Sequence, residues 1–196
     1  DEFNWLRVRE TQDPRQWALK FGGDKTQNYL RAIDSLDEIK LGELHDDYEC
    51  GSFIKVESTM KTSAKPRMIQ ARNVRYQALV GPWVSATEHM LLTDAPTENG
   101  RVPWLIKGYG PRKRGRVIQD MVTRIFGDID MSAPVGGIDF SRFDSTQTAA
   151  LMECVELQWW RHILGRTNPV YRHILKSVKI VGKTLKGKHW YSVNGT

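Results

Sequence analysis

Between Val135 and Phe140 the chain is apolar, with Pro134 in front and Asp139 near the end of the run. From Thr146 the hydrophobic period changes: Ala149, Ala150, Met152, Cys154 or Val155, Leu157 and Trp160 follow helical spacing up to Gly165. A buried strand that runs straight into a long helix, with acids at the junction, restricts the chain to a mixed α/β (α+β) architecture. It also raises a question of charge, because a carboxylate at the end of a buried strand is costly unless it is compensated.

The rest of the sequence reads as a series of shorter elements, with no internal repeat or low-complexity tract. Residues 1–50 are mixed, with one helix predicted over 24–39 that places Tyr29, Leu30, Ile33 and Leu36 on one face. Alternation predicts a strand over 51–58, a small basic loop over 59–66, and a second strand over 67–71. Residues 74–92 are helical, and Pro82, after Gly81, is expected to end one helix and start another. Residues 93–115 read as a Gly- and Pro-rich loop, and 115–125 as a helix carrying Val117, Ile118, Met121, Val122 and Ile125. Asn168-Pro169 starts a helix that reaches about Ser177, and the tail forms a hairpin of 179–181 with 189–193.

With 40% hydrophobic and 10% aromatic residues among 196, the chain can build a core, which excludes a disordered class. Cys50 and Cys154 form no CxxC pair, so neither a disulfide scaffold nor a zinc site is expected, in keeping with a reducing compartment. The histidines show no metal-ligand spacing, and the tryptophans are read as packing residues. No run approaches the ~20 apolar residues of a membrane span. The chain opens on Asp1 and stops at Thr196 without a finished element, which predicts a piece of a longer protein.

The net charge of +6 is clustered. One cluster is Arg112-Lys113-Arg114 with Arg116; a second is Lys61, Lys65, Arg67, Arg72 and Arg75; a third is Lys176, Lys179, Lys183, Lys186 and Lys188. A solvated basic surface and a nucleic-acid surface both fit such clusters.

Two constellations carry chemistry. Asp139-Phe140-Ser141-Arg142-Phe143-Asp144 offers two acids at the strand-to-helix junction. They fit a buried ion pair plus a helix cap, the cap having a value of roughly 1 kcal/mol. They also fit a divalent cation, since Mg²⁺ takes a few carboxylates together with phosphate oxygens. The second constellation is Lys55-Val56-Glu57, then Lys61, then Lys65-Pro66-Arg67-Met68-Ile69. It is either a solvated basic loop or a grip for a triphosphate, with lysine as a point charge and arginine as a bidentate fork.

Residues 139–146, DFSRFDST, together with 65–69, KPRMI, resemble palm motif A and fingers motif F of the RNA-dependent RNA polymerases of positive-strand RNA viruses, nearest the tombusvirus-like and flavivirus-like groups. The order Phe53-x-Lys55-x-Glu57, Lys65-Pro66-Arg67, Lys107-Gly108 with its basic knot, then Asp139 to Asp144 matches that family from about Phe53 to the end of the chain. The resemblance implies a right-hand polymerase fold. Residues 1–106 would be fingers, 107–146 the start of the palm, and 147–196 a return to the fingers, with the chain stopping before motif B.

It also implies roles. Asp139 would ligate the catalytic Mg²⁺ (or Mn²⁺) ions, and Asp144 would recognise the ribose 2′-OH. Phe140 and Ser141 would flank the metal and the triphosphate through their backbone, Phe140 thereby joining the metal site. Lys65 and Arg67 would hold the triphosphate, Lys55 and Glu57 would shape the fingertip, and Lys61 would meet nucleotide or template. Ile69 would lie under the templating base, with Arg72, Arg75, Arg112, Lys113 and Arg114 as candidates for RNA backbone contact.

The implied reaction is template-dependent nucleotidyl transfer from nucleoside triphosphates to an RNA 3′-OH, and the implied partners are template RNA, nascent RNA and other viral replication proteins. The implied location is the host cytoplasm, in a membrane-associated replication complex whose anchor is not in this segment. The second acid-bearing turn of the family is missing, and residues 126–130 are read as a surface turn rather than its substitute. This piece alone is therefore expected to be inactive. The alternatives are a reverse transcriptase, against which Asp144 speaks, and a non-catalytic basic RNA-binding module.

Overall fold

Asp13 starts the first helix. Its carboxylate accepts the Gln16 N–H at 3.0 Å and Pro14 follows at the first helical position, a pairing that caps and pre-sets a helix start. In the computed structural model, which describes residues 7–8, 10–56, 67–93, 107–127, 146–183 and 190–194, this gives α1 (Pro14–Leu19) and then α2 (Gly23–Glu38), close to the expected helix over 24–39. Trp17, Ala18, Tyr29, Ala32 and Ile33 are buried between them, with the Trp17 and Tyr29 rings 4.7 Å apart.

The long helix α3 (Val74–Thr93) corrects the expectation of a break at Pro82. Proline in a helix interior costs ~3 kcal/mol, because it lacks the N–H and crowds the preceding turn. Here packing offsets that cost. Pro82 is among the most completely buried side chains, and Gly81 lets the indole of Trp17 lie directly on the helix. A Cβ at Gly81 would stand 2.2 Å from that ring.

The predicted helix up to Gly165 is also modified. It comprises α5 (Ala149–Leu151), a π turn over Met152–Glu156, and α6 (Leu157–Leu164). The buried residues are Met152, Leu157, Ile163 and Leu164, whereas Cys154 and Val155 are exposed. Met152 and Leu157 are five apart, a spacing that an α-helix would send to different faces. The bond from the Leu157 N–H to the Met152 carbonyl is the wider i→i+5 turn that brings both inward. Gly165, at φ 79°, then stops the helix, and Asn168 caps α7 (Pro169–Lys176) by accepting the Val170 N–H.

The predicted hairpins form one sheet. β1 (Glu49–Ile54) pairs antiparallel with β2 (Met68–Arg72), and β3 (Lys179–Lys183) pairs antiparallel with β4 (Trp190–Asn194). β1 and β3 run parallel, Glu49 opposite Val181, so the order is β2-β1-β3-β4. Segments from the two ends of the chain thus share one sheet. They also share the main core, where Val8, Leu41, Tyr76, Val80 and Met90 meet Leu157, Ile163, Leu164, Val170, Tyr171 and Ile174.

A further correction concerns the loop expected over residues 111–114. The helix α4 (Pro111–Phe126) already includes them, with Gly110 as N-cap and Pro111 at the first position. Lysine and arginine are good helix formers, and a proline at this position opens a helix rather than breaking one. The expected strand over 135–140 lies outside the described residues. Among the described residues no helix is long and apolar enough to cross a membrane.

Candidate functional site

The β1–β2 hairpin is the part of the candidate site that the structure describes. Its register sets Phe53 opposite Ile69 and Ile54 opposite Met68. One step further out, the Lys55 N–H donates to the Arg67 carbonyl at 2.8 Å, so the two cationic residues stand abreast at the mouth of the loop that joins the strands. Both side chains are exposed, as are Phe53, Ile54, Val56 and Met68, while Ile69 is half-buried. Glu57, Lys61 and Lys65 lie outside the described residues. So do Asp139, Phe140, Ser141 and Asp144.

The other end of the hairpin is fastened by two arginines that the sequence suggested for RNA. Arg72 donates to the Ser177 carbonyl at 2.6 Å and to the Tyr48 carbonyl at 3.4 Å, and its guanidinium lies over the Tyr76 ring. It ties β2 to the turn between α7 and β3. Arg75 is buried: it donates to the Asp47 carboxylate at 2.7 Å, to the Ile39 carbonyl at 2.5 Å and to the Ser35 hydroxyl. Asp47, fully buried, in turn accepts the Gly42 N–H at 2.6 Å and the Leu44 N–H at 3.3 Å. A buried charge survives only when paired and hydrogen-bonded, and both conditions are met here. Arg75 is thus a strut of the fold with its guanidinium turned away from solvent, which corrects its reading as an RNA contact; Arg72 is largely committed in the same way.

The remaining contacts at this base are polar and enclosed. Asn73 caps α3 by accepting the Arg75 N–H at 2.8 Å and donates to the Asp46 carbonyl. The Tyr76 hydroxyl donates to Ser177 at 2.8 Å, and burial pushes its phenol pKa up. Burial raises the Tyr48 phenol and the Cys50 thiol as well. Tyr48 Oη and His173 Nδ1 lie 2.6 Å apart, the phenol donating when the imidazole is neutral. Burial, and then Lys176, lower the His173 pKa and favour that neutral form. Sequence reasoning missed Asp47, Tyr48, Asn73 and Ser177, because no periodicity marks a polar residue whose partner comes from a distant part of the chain.

The knot of 112–116 presents Arg112, Lys113, Arg114 and Arg116 as exposed side chains on the first turns of α4. Lys113 stacks on the Tyr109 ring at 3.8 Å, and Arg114 donates to the Tyr109 carbonyl at 2.7 Å. Cations at a helix N-terminus oppose its dipole, by about 0.3–1 kcal/mol each at the surface. The cluster therefore adds to the positive potential there instead of balancing it. Lys107 pairs with Glu88 and links this segment to α3. Among the described residues, no three or more His, Cys, Asp or Glu side chains are grouped to hold a metal ion.

Residues 5–188 match the family described as viral RNA dependent RNA polymerase. The chain is 30% identical over 155 residues to the RNA-directed RNA polymerase of Melon necrotic spot virus, covering 74% of this chain and 19% of that protein. It is 33% identical over 127 residues to that of Cucumber necrosis virus, covering 63% of this chain and 14% of that protein. It is 30% identical over 169 residues to that of Tomato bushy stunt virus (strain Cherry), covering 85% of this chain and 18% of that protein. It thus spans less than a fifth of the length of these relatives. No solved structure gives a significant match. Since the family match runs through the hairpin, the basic helix and residues 139–144 alike, the chain belongs to the viral RNA-dependent RNA polymerases.

Proposed function

We propose that this chain is the nucleotide-gripping part of a viral RNA-directed RNA polymerase, with fingers built from its two end segments and the start of a palm between them. The observation that carries the reading is the hairpin. Lys55 and Arg67 stand abreast at the mouth of the loop that carries Lys61 and Lys65, on strands whose other end is fixed by the Arg72 and Arg75 contacts. A phosphate grip works only if its cations are held in place before the ligand arrives. The shared sheet, in which β1 lies beside β3, supports assigning 147–196 to the same subdomain as 1–106.

In this reading Arg67 and Lys65 hold the triphosphate of an incoming nucleotide. Arg67 supplies a planar fork and Lys65 a point charge. Ile69, half-buried opposite Phe53, lies under the templating base. Asp144 accepts a hydrogen bond from the ribose 2′-OH. Asp139 offers the hard carboxylate oxygens that suit Mg²⁺ or Mn²⁺, and the ion, when bound, would activate the RNA 3′-OH and shield the leaving phosphates. Arg112, Lys113 and Arg114 add positive potential for template or product RNA. Sequence is read by base pairing, so the protein tests geometry alone.

The test is Asp139→Ala in the parent polymerase. RNA synthesis should fall below detection while RNA binding stays within about twofold, because the carboxylate serves chemistry and not the polyanion. Synthesis at an unchanged rate would end the assignment.

A further inference from the structure

A further group of cations lies at the junction of α6 and α7. A cleft of about 850 Å³ opens where α6 ends and α7 begins, and its lining includes Arg7, Arg161, His162 and Arg166 together with Trp83 and Asn168. Among the described residues no carboxylate lines it. The neighbouring cleft, of about 640 Å³ beside α3, shares Arg7 but is lined by Glu10 and Glu88 as well. Arg7, Arg161 and Arg166 are exposed, and none of them forms an ion pair with a described residue. Arg161 and Arg166 thus give this opening an excess of positive charge that an anion would offset.

The backbone holds these cations in position. The Val8 N–H donates to the Ile163 carbonyl at 3.1 Å, which pins Arg7 beside the last turn of α6. Gly165 breaks the helix, and the Asn168 N–H returns to the Gly165 carbonyl at 3.4 Å, which turns the chain so that Arg166 follows Arg161 around one opening. The cleft sits at the N-terminal end of α7, whereas Ser177, the anchor of the hairpin base, is at its C-terminal end. About 12 Å of helix separates them. The cluster is therefore not part of the hairpin site.

We infer that this cleft binds the sugar–phosphate backbone of a single RNA strand. Guanidinium forks match phosphodiester oxygens in a way that lysine does not, and the half-buried Trp83 indole offers an apolar face for a base. That the polyanion is RNA rests on the polymerase reading; the cation cluster itself does not. The site would hold a length of template or product outside the catalytic centre, adding affinity without sequence preference.

The experiment is an anisotropy titration of a labelled oligouridylate against the full chain over a range of salt concentrations. The double variant Arg161→Ala/Arg166→Ala should bind roughly tenfold more weakly or worse, and the slope of log affinity against log salt should shrink by about 1.4, the share of two phosphate contacts on a single strand. Arg161→Lys/Arg166→Lys should keep the slope and lose part of the affinity, because charge stays and the fork is lost. Both residues are exposed, so unchanged thermal melting of the variants would show that the fold is intact. Affinity within twofold of the parent at every salt concentration would overturn the proposal. Displacement of the RNA by polyglutamate at equal charge would also overturn it, in favour of an acidic protein partner. Neither arginine touches the hairpin, so a failure here leaves the polymerase reading standing, and active Asp139→Ala enzyme would sink that reading without bearing on the cleft.

Discussion

Arg67 and Arg75 flank the same strand and belong to the same basic cluster in the sequence, yet the fold uses them in opposite ways. Arg75 is buried, and its guanidinium is consumed by Asp47, Ser35 and the carbonyls of Ile39 and Lys40. Arg67 is exposed beside Lys55 at the open end of the hairpin. The lesson is that a run of cations has no single meaning: burial and the partners brought from elsewhere in the chain make some of them scaffold, while others stay exposed at the surface. A grip of this kind needs both, since exposed cations are useful only on strands that do not move.

The contrast can be broken by stability measurements. Arg75→Ala leaves the Asp47 carboxylate buried without its partner and should cost about 3–5 kcal/mol in denaturant unfolding of the chain. Arg67→Ala should change stability by no more than about 0.5 kcal/mol. Equal effects from the two substitutions would contradict the division of labour.

A smaller effect concerns the base network through His173. Its folded pKa lies below the ordinary value of 6.5, so the unfolded chain takes up the proton first as pH falls. The stability contributed by neutral His173 is thus complete above about 6.5 and is lost as pH drops through the window down to the lowered folded value. Urea midpoints compared at about pH 7.5 and about pH 5 should fall less in His173→Gln than in the parent. The groups facing His173 here are Tyr48, Lys176 and Asp47. An identical fall in both proteins would remove His173 from the account.

Local chemistry accounts for what was legible in advance. Asn168-Pro169 and Gly165 marked helix ends because capping and left-handed φ are properties of single residues. The two hairpins were visible as alternation and as turn residues. Pro82 was misread because its cost is local while the compensation, Trp17 against Gly81 and the burial of the ring, comes from another helix. The π turn was hidden for a similar reason, since the five-residue step from Met152 to Leu157 makes sense only once a core lies on one side. At the site, the burial of Arg75 and the commitment of Arg72 could not be read. Their partners, Asp47 and the Ser177 carbonyl, lie far from them in sequence. The arginines of the α6–α7 cleft are likewise scattered along the chain and form a group only in three dimensions.

The most direct measurement is the nucleotide dependence of RNA synthesis by the parent polymerase carrying Arg67→Ala. Loss of a charge-assisted hydrogen bond worth about 1.5–3 kcal/mol should raise the KM for nucleoside triphosphates by about tenfold to a hundredfold, with the unfolding midpoint unchanged. A KM equal to that of the unaltered enzyme would contradict the claim that the mouth of the hairpin grips the nucleotide.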